Sequence, residues 1–459
     1  MGATNQLRRE ISLPGAIMLG LGAIVGTGVF VSMGVAMQVT GPSVLLAILL
    51  AGLVAVCNGL SSAQLAAAHP VSGGTYEYGY RWLSPELGAI AGWLFLSAKS
   101  ASAATAVLGL ATYLDFTIGI QAKLGLDTET FLPAYLFQVG VALLILAMMV
   151  AVVVVGIKRT TLANSIIVAI TLSALMALVV CGLPTAIENV RAGRGIWFGM
   201  EDVGKHGQES SYSWSTLFNA TALMFVAFTG YGRIATMGEE VKQPRRTIPI
   251  AMIATLATTI VLYLSVGFVL VGVAGPELLQ QPDAKGVGVG EGWAAPLLQV
   301  SAGLKTPWLT TVVEMGGITA MLGVVLNLLL GLSRVVLAMS RRTDLPEVFS
   351  KVNSHGVPLP ATLLVACIVG GLVCLGDVKV AWSFSAFTVL VYYAITNFCA
   401  IRMPADERIY PVWIAWIGLA SCLSLAAFIP WQILLAGLMV IVAGFTAATI
   451  RKSQHCVKK

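Results

Sequence analysis

Charge is what this chain of 459 residues has least of. Asp, Glu, Lys and Arg together make up 10% of it, against roughly 25% in soluble domains, so the surface of a water-soluble fold could not be built from what remains. Histidine is scarce too. The four present, His69, His206, His355 and His455, fall in loops or at the ends of apolar segments, and no two stand at metal-ligand spacing, which speaks against a metalloenzyme. The seven cysteines, Cys57, Cys181, Cys367, Cys374, Cys399, Cys422 and Cys456, form no CxxC pair and read as small core hydrophobes rather than disulfides or metal ligands. No ATP-binding P-loop appears, so energy from the chain's own hydrolysis is not expected. No His/Asp/Ser constellation lies at membrane depth, as an embedded enzyme would need, and no repeated filter or ring of charge marks a channel. Met1-Gly2 is followed by Gln6 where myristoylation needs Ser or Thr, and no cleavable secretion signal precedes the first apolar run.

What the chain has in abundance is apolar length. Hydrophobic residues reach 57%, arranged in about twelve runs near or above the roughly 20 residues that cross hydrocarbon. The runs do not alternate apolar and polar residues as barrel strands do. The expected class is therefore an all-α integral membrane protein with spans near 13–38, 43–68, 86–115, 132–156, 160–183, 216–237, 247–275, 308–339, 358–376, 380–401, 410–428 and 431–450. Between the second and third, His69–Tyr76 reads as a loop rich in helix breakers, and Trp293–Thr310 as the place for a short interfacial helix. Pro184–Ser215 reads as a long outer surface loop. With both termini on one side, 17 of the 27 Lys and Arg fall in segments on that side and seven (Lys123, Arg191, Arg194, Lys205, Lys285, Lys305, Lys379) on the other. The positive-inside bias then puts both termini in the cytoplasm of a cell (plasma) membrane protein. The net charge of +6 follows from the same bias and calls for no nucleic-acid partner.

Glycine is costly in a helix interior, so Gly26-Thr27-Gly28 in the middle of the first span predicts a break that exposes backbone N–H groups at mid-depth. Such donors, at the positive start of the outer half-helix, suit a carboxylate. The alternative is close helix packing by small residues. Secondary transporters place a second break half a repeat later, and Phe225-Val226-Ala227-Phe228-Thr229-Gly230-Tyr231-Gly232 supplies one.

Gly20–Phe30, the loop Pro70-Val71-Ser72-Gly73-Gly74-Thr75-Tyr76, the stretch from Phe228-Thr229-Gly230-Tyr231 through Glu239-Glu240-Val241-Lys242-Gln243-Pro244-Arg245-Arg246 to Pro249, and Ser333–Arg342 occur in the order found in the amino acid–polyamine–organocation superfamily. The chain resembles that superfamily from residue 13 to about 360, nearest to its cationic amino acid transporter-like branch. The tail from 361 matches only as hydropathy. The resemblance implies a leucine-transporter-type fold of two inverted five-helix repeats plus two peripheral helices. Its divisions are a tail 1–12, a first repeat 13–183, an extracellular loop 184–215, a second repeat 216–401, peripheral helices 402–450 and a tail 451–459. It also implies that the carbonyls of Ile24, Val226 and Thr229 surround a substrate ammonium while Phe228 and Tyr231 cap the pocket. Amino acids, or polyamines and other organic amines, are the implied substrates, with no cofactor; a transport-inactive sensor of the same fold is the remaining alternative.

Two departures bear on coupling and selectivity. The cationic branch usually has an acidic residue where this chain has Gly232, followed by Arg233, and proton-coupled relatives carry a fifth-helix lysine where this chain has Thr171. Lys99, in the third span, is then the one lysine at mid-membrane depth, where a charge costs about 2.5–3.5 kcal/mol on insertion scales. It reads either as a proton-coupling or substrate-sensing group or as half of a fixed pair with Glu314, and Arg233 as a partner of Glu239 or Glu240. A gate built from Glu239, Glu240, Lys242, Arg245 and Arg246 is a further expectation.

Overall fold

A computed structural model describes residues 9, 11–71, 73–118, 131–155, 160–192, 213–236, 238–280, 295–304, 306–353, 357–375 and 377–457. Its helices are α1 (Leu13–Ile24), α2 (Met33–Thr40), α3 (Val44–Ala68), α4 (Thr75–Trp82), α5 (Pro85–Ile118), α6 (Phe131–Val155), α7 (Thr160–Arg191), α8 (Trp214–Phe228), α9 (Gly232–Thr236), α10 (Pro244–Gln280), α11 (Pro296–Gly303), α12 (Pro307–Arg341), α13 (Leu359–Val373), α14 (Val378–Arg402), α15 (Val412–Ala426) and α16 (Trp431–Val457). No strand occurs among the described residues. One isolated parallel bridge joins Ile11 to Val241, through Ile11 N–H to the Glu240 carbonyl at 3.0 Å and Lys242 N–H to the Ile11 carbonyl at 2.9 Å.

Seven helical stretches among the described residues are long and apolar enough to cross a membrane, and three shorter apolar helices accompany them. Their large apolar side chains split by face. Leu136, Leu144, Met148 and Val152 of α6 and Ile166, Ile170, Met176 and Val180 of α7 are exposed, the pattern of helices whose outer face meets an apolar solvent, whereas α5 and α14 are buried on most of their surface. Helices α12 and α14 both pack on α5, while α10 packs on α3, α1 and α7. Both broken segments, α1–α2 and α8–α9, run between these groups.

Several boundaries differ from the sequence reading. The loop expected over His69–Tyr76 ends early, because Gly73 and Gly74 adopt positive φ (+133° and +60°) and turn the chain into α4. That short helix survives the breaker-rich approach because Tyr76 and Tyr78 bury their rings. The connection expected from Pro184 begins later: α7 continues to Arg191 with Pro184 inside it, and residues 193–212 lie outside the described residues. Helix α11 stands where a short interfacial helix was expected, with Leu297 and Leu298 fully buried against protein and Ala302 and Gly303 exposed. Helix α16 runs on into the expected tail as far as Val457. His206, His355, Lys123, Arg194, Lys205, Lys285 and Lys305 lie outside the described residues.

Candidate functional site

The first helix breaks where its glycines predict. Pro14 sits in the first turn of α1, where a missing N–H costs nothing. The helix closes with Val25 N–H donating to the Leu21 carbonyl at 2.7 Å, and Val25 then turns to an extended conformation. The chain resumes as a π-helical turn, Gly28–Ser32, whose first bonds run from Val29 and Phe30 N–H to the single carbonyl of Gly26, both at 3.1 Å. Gly26 and Thr27 stand between the two ladders. Thr27 is buried, and its Oγ1 meets no partner among the described residues. The second break follows α8, which opens on a capping box between Ser213 and Thr216. It ends where Thr229 N–H caps onto the Val226 carbonyl, and a 3-10 turn, Thr229–Tyr231, leads into α9.

The two breaks touch. A Cβ added to Gly230 would collide with the Ala23 carbonyl, so only glycine lets the second unwound segment cross the end of α1. Beside the crossing lies a cavity of about 60 Å³, which is room for several waters. Ala23 lines it from α1, Thr229 and Gly230 from the second break, and Arg233 from α9. Lys99 and Phe95 reach it from α5, Val324 and Asn327 from α12, and Tyr392 and Tyr393 from α14.

Of the expected substrate-binding residues only Thr229 lines this cavity, and of the expected coupling residues only Lys99 does. Thr229 Oγ1 donates to the Val226 carbonyl at 2.7 Å and accepts from Lys99 Nζ at 3.0 Å, and the Thr229 carbonyl accepts from Tyr393 Oη at 3.3 Å. The Ile24 carbonyl accepts from Tyr263 Oη at 2.8 Å. All three carbonyls expected to receive a substrate ammonium thus have protein donors in this conformation. Gly26 lies against Val324, and at Gly28 an added Cβ would meet Tyr263 Oη at 2.6 Å and Ala227 Cβ at 2.9 Å. Small-residue packing and a helix break therefore coincide at these glycines. Phe228 is fully buried against Tyr263, with ring centroids 5.0 Å apart, and Tyr231 against Tyr393 at 5.5 Å; neither lines the cavity. Thr171 is buried on α7 and spends its hydroxyl on the Ile167 carbonyl of its own helix at 2.9 Å.

The expected ion pairs are rearranged. Lys99 does not pair with Glu314; its ammonium reaches Thr229, because the second break brings that hydroxyl to the middle of α5 while Glu314 lies near the start of α12. Arg233 turns into the cavity, where Nη1 donates to the Asn327 carbonyl at 3.3 Å and Nε has no partner among the described residues. Glu240 is taken by Arg334 at 3.2 Å, not by Arg233 or the basic cluster of the expected gate. The Glu239 side chain lies outside the described residues.

Asn327, Asn164, Tyr263 and Tyr393 were not singled out from the sequence. Asn327 Nδ2 donates to Asn164 Oδ1 at 3.0 Å, and Asn164 Nδ2 to the Met18 carbonyl at 3.2 Å, so a polar chain runs from Arg233 through α12 and α7 to α1. A polar residue inside the run Leu326-Asn327-Leu328-Leu329 was the available signal, since such a group at membrane depth needs partners. The tyrosines gave none, because a lone aromatic in an apolar run reads as core.

The family model described as amino acid permease matches residues 15–459. The chain belongs to the amino acid permease family. It is 35% identical over 454 residues to an uncharacterised transporter of Mycobacterium tuberculosis, covering 98% of this chain and 92% of the relative. The branched-chain amino acid permease BcaP of Bacillus subtilis is 27% identical over 474 residues (98% and 94%). The vacuolar cationic amino acid transporter 2 of Arabidopsis thaliana is 27% identical over 414 residues (89% and 62%). Family and apolar helices together identify a multi-pass membrane transporter of the amino acid–polyamine–organocation superfamily.

Proposed function

We propose that this permease is a secondary active transporter, not an enzyme, that moves amino acids across the cell membrane by alternating access. It would use twelve spans, with inverted repeats over 13–183 and 216–401, peripheral helices within 402–450 and both termini cytoplasmic. The observation that carries this reading is the cavity beside the point where the second unwound segment crosses the end of α1. Unwound backbone at membrane depth is tolerated where it is buried in protein or lines a cavity, and half-helix ends there supply fixed partial charges for a small ionic ligand.

Protein donors hold the Ile24, Val226 and Thr229 carbonyls, and Val324 covers Gly26, so the arrangement is that of a site closed on itself. Loading would replace the Tyr263 and Tyr393 hydroxyls by a substrate ammonium and withdraw Val324 from Gly26, exposing the Gly26–Gly28 amides to a carboxylate. The inner-side segments are tied by charge: Glu77 to Arg342 through two bonds at 3.0 and 2.5 Å, and Arg81 to Glu407 at 3.3 Å. Tyr80 Oη also donates to Asp344 at 2.7 Å. Opening toward the cytoplasm would have to break these contacts. Uptake of labelled amino acids into liposomes holding only the purified chain tests the reading. Saturable uptake that tracks an imposed gradient of protons or another ion is expected; a channel would give flux that does not saturate, and a transport-inactive sensor none. Tighter binding of an amine than of its parent amino acid would transfer the site to organic amines.

A further inference from the structure

We infer that the substrate is an acidic amino acid. The inference rests on the transport reading above and concerns the charge at the same cavity. Two cationic side chains face this space, Lys99 from α5 and Arg233 from α9, and no carboxylate among the described residues lines it. Their hydrogen bonds go to neutral groups, Lys99 to the Thr229 hydroxyl and Arg233 to the Asn327 carbonyl, which satisfy donors but cancel no charge. Glu240 is close enough to attract Arg233, but it is ion-paired with Arg334, whose positive charge opposes that attraction, and Asp344 accepts from Tyr76 and Tyr80. One Arg233 donor, Nε, is buried without a partner among the described residues.

Two positive charges in a low-dielectric space favour whatever ligand brings negative charge, and they raise the cost of one that adds positive charge. A zwitterion leaves the excess as it is, and a lysine or arginine substrate adds to it. Glutamate or aspartate brings one net negative charge and a second carboxylate, whose two oxygens match the planar fork of a guanidinium. The rest of the wall brings no negative charge: Gly230, Gly232 and Gly331 line it with close-packed backbone, Gly331 directly against the Arg233 guanidinium, and Phe95 and Tyr392 close the space with rings.

The test is competition in proteoliposomes of the full chain, with labelled L-glutamate and L-aspartate as probes and L-glutamine, L-asparagine and L-lysine as competitors. Glutamate is expected to bind more than about tenfold better than its uncharged isostere glutamine, the worth of a hydrogen bond to a charged group. Lys99→Gln and Arg233→Gln should each erase most of that preference while Lys99→Arg retains it. Lysine competing as well as glutamate, or glutamine as well as glutamate, overturns the inference and leaves amino acid transport standing. Failure of every amino acid, whatever its charge, overturns the transport reading as well. If the Gln variants do not fold, the order of competitors on the wild-type protein decides the matter alone.

Discussion

Removing a single oxygen from Tyr263 tests the closed site most directly. The ring is fully buried on α10, and its hydroxyl donates to the Ile24 carbonyl at 2.8 Å and lies 3.4 Å from the Ala227 carbonyl, so one group ties the ends of both broken helices. Tyr263→Phe keeps the ring contact with Phe228 and strips the donor. An interhelical hydrogen bond in a membrane averages about 0.6 kcal/mol, with a maximum near 1.7, and a buried carbonyl left without a donor costs about 1–3 kcal/mol. The Ile24 carbonyl ends α1 with no following turn to take it up, so a loss of about 1–2 kcal/mol is expected, read as the shift in an SDS-unfolding equilibrium in bicelles. Affinity should move the other way. If the substrate ammonium takes the Ile24 carbonyl, it displaces the hydroxyl in the wild type and meets no competitor in the variant, so binding should tighten by about tenfold for each 1.4 kcal/mol released. Unchanged stability would refute the carbonyl argument. Lower stability with weaker binding would refute the placement of the ammonium at Ile24.

Four further outcomes are expected. Gly28→Ala drives a methyl into Tyr263 and Ala227 and should destabilise by about 1–3 kcal/mol, whereas Gly371→Ala on α13, where a Cβ meets nothing within 4 Å, should be neutral or mildly stabilising; equal effects at the two sites would remove the packing argument. Loss of binding in Gly28→Val therefore reports packing as well as access to the amides, and needs the unfolding measurement beside it. Glu77→Arg should raise labelling of a cysteine placed in the cavity from the cytoplasmic side, and adding Arg342→Glu should restore the wild-type rate; no change would deny the pair a role in closure. His69, at the end of α3 with Arg81 Nη1 2.8 Å from its Nδ1, is held below the ordinary imidazole value of 6.5, first by burial and then by the Arg81 and Arg342 charges. The folded state then binds fewer protons than the unfolded one, so stability should be full above pH 6.5 and fall as the pH drops below it; a wild-type unfolding profile from pH 7.5 to 5 that matches His69→Asn would sink this. Glu314→Gln should not rescue Lys99→Met, since Lys99 reaches Thr229 instead; rescue would restore the pairing read from the sequence.

The parts of this architecture that were legible in the sequence are those with a one-dimensional signal. Apolar length marked the helices, and glycine clusters marked both breaks to within a residue or two, because helix propensity and hydrocarbon thickness act along the chain. The partner of each charge was not legible in that way. Glu314 was matched to Lys99 by depth alone, and depth fixes one coordinate of three. The azimuth of each helix and the crossing of the two breaks set the other two, and they brought Thr229 to Lys99 and the Asn327 carbonyl to Arg233. Tyr263 escaped notice for a related reason. Its ring belongs to the core as any buried aromatic does, and only the carbonyl left over at the end of α1, visible once the helix stops, gives its hydroxyl a task.

On the proposed reading, the same crossing lets one place serve both closure and selectivity. A helix that stops in mid-membrane leaves carbonyls at one end and amides at the next, and in hydrocarbon these must be satisfied by protein or by a ligand. Here Tyr263, Tyr393 and Thr229 satisfy the carbonyls from within, while Lys99 and Arg233 bring charge whose hydrogen bonds go only to neutral groups. A ligand with an ammonium can replace the first set with little net change, because one donor exchanges for another. A ligand with an added carboxylate gains at the second set, where nothing is displaced. Affinity would then come mostly from the acidic end of the substrate, while its ammonium, by releasing the tyrosines that pin the two breaks together, would supply the trigger for movement.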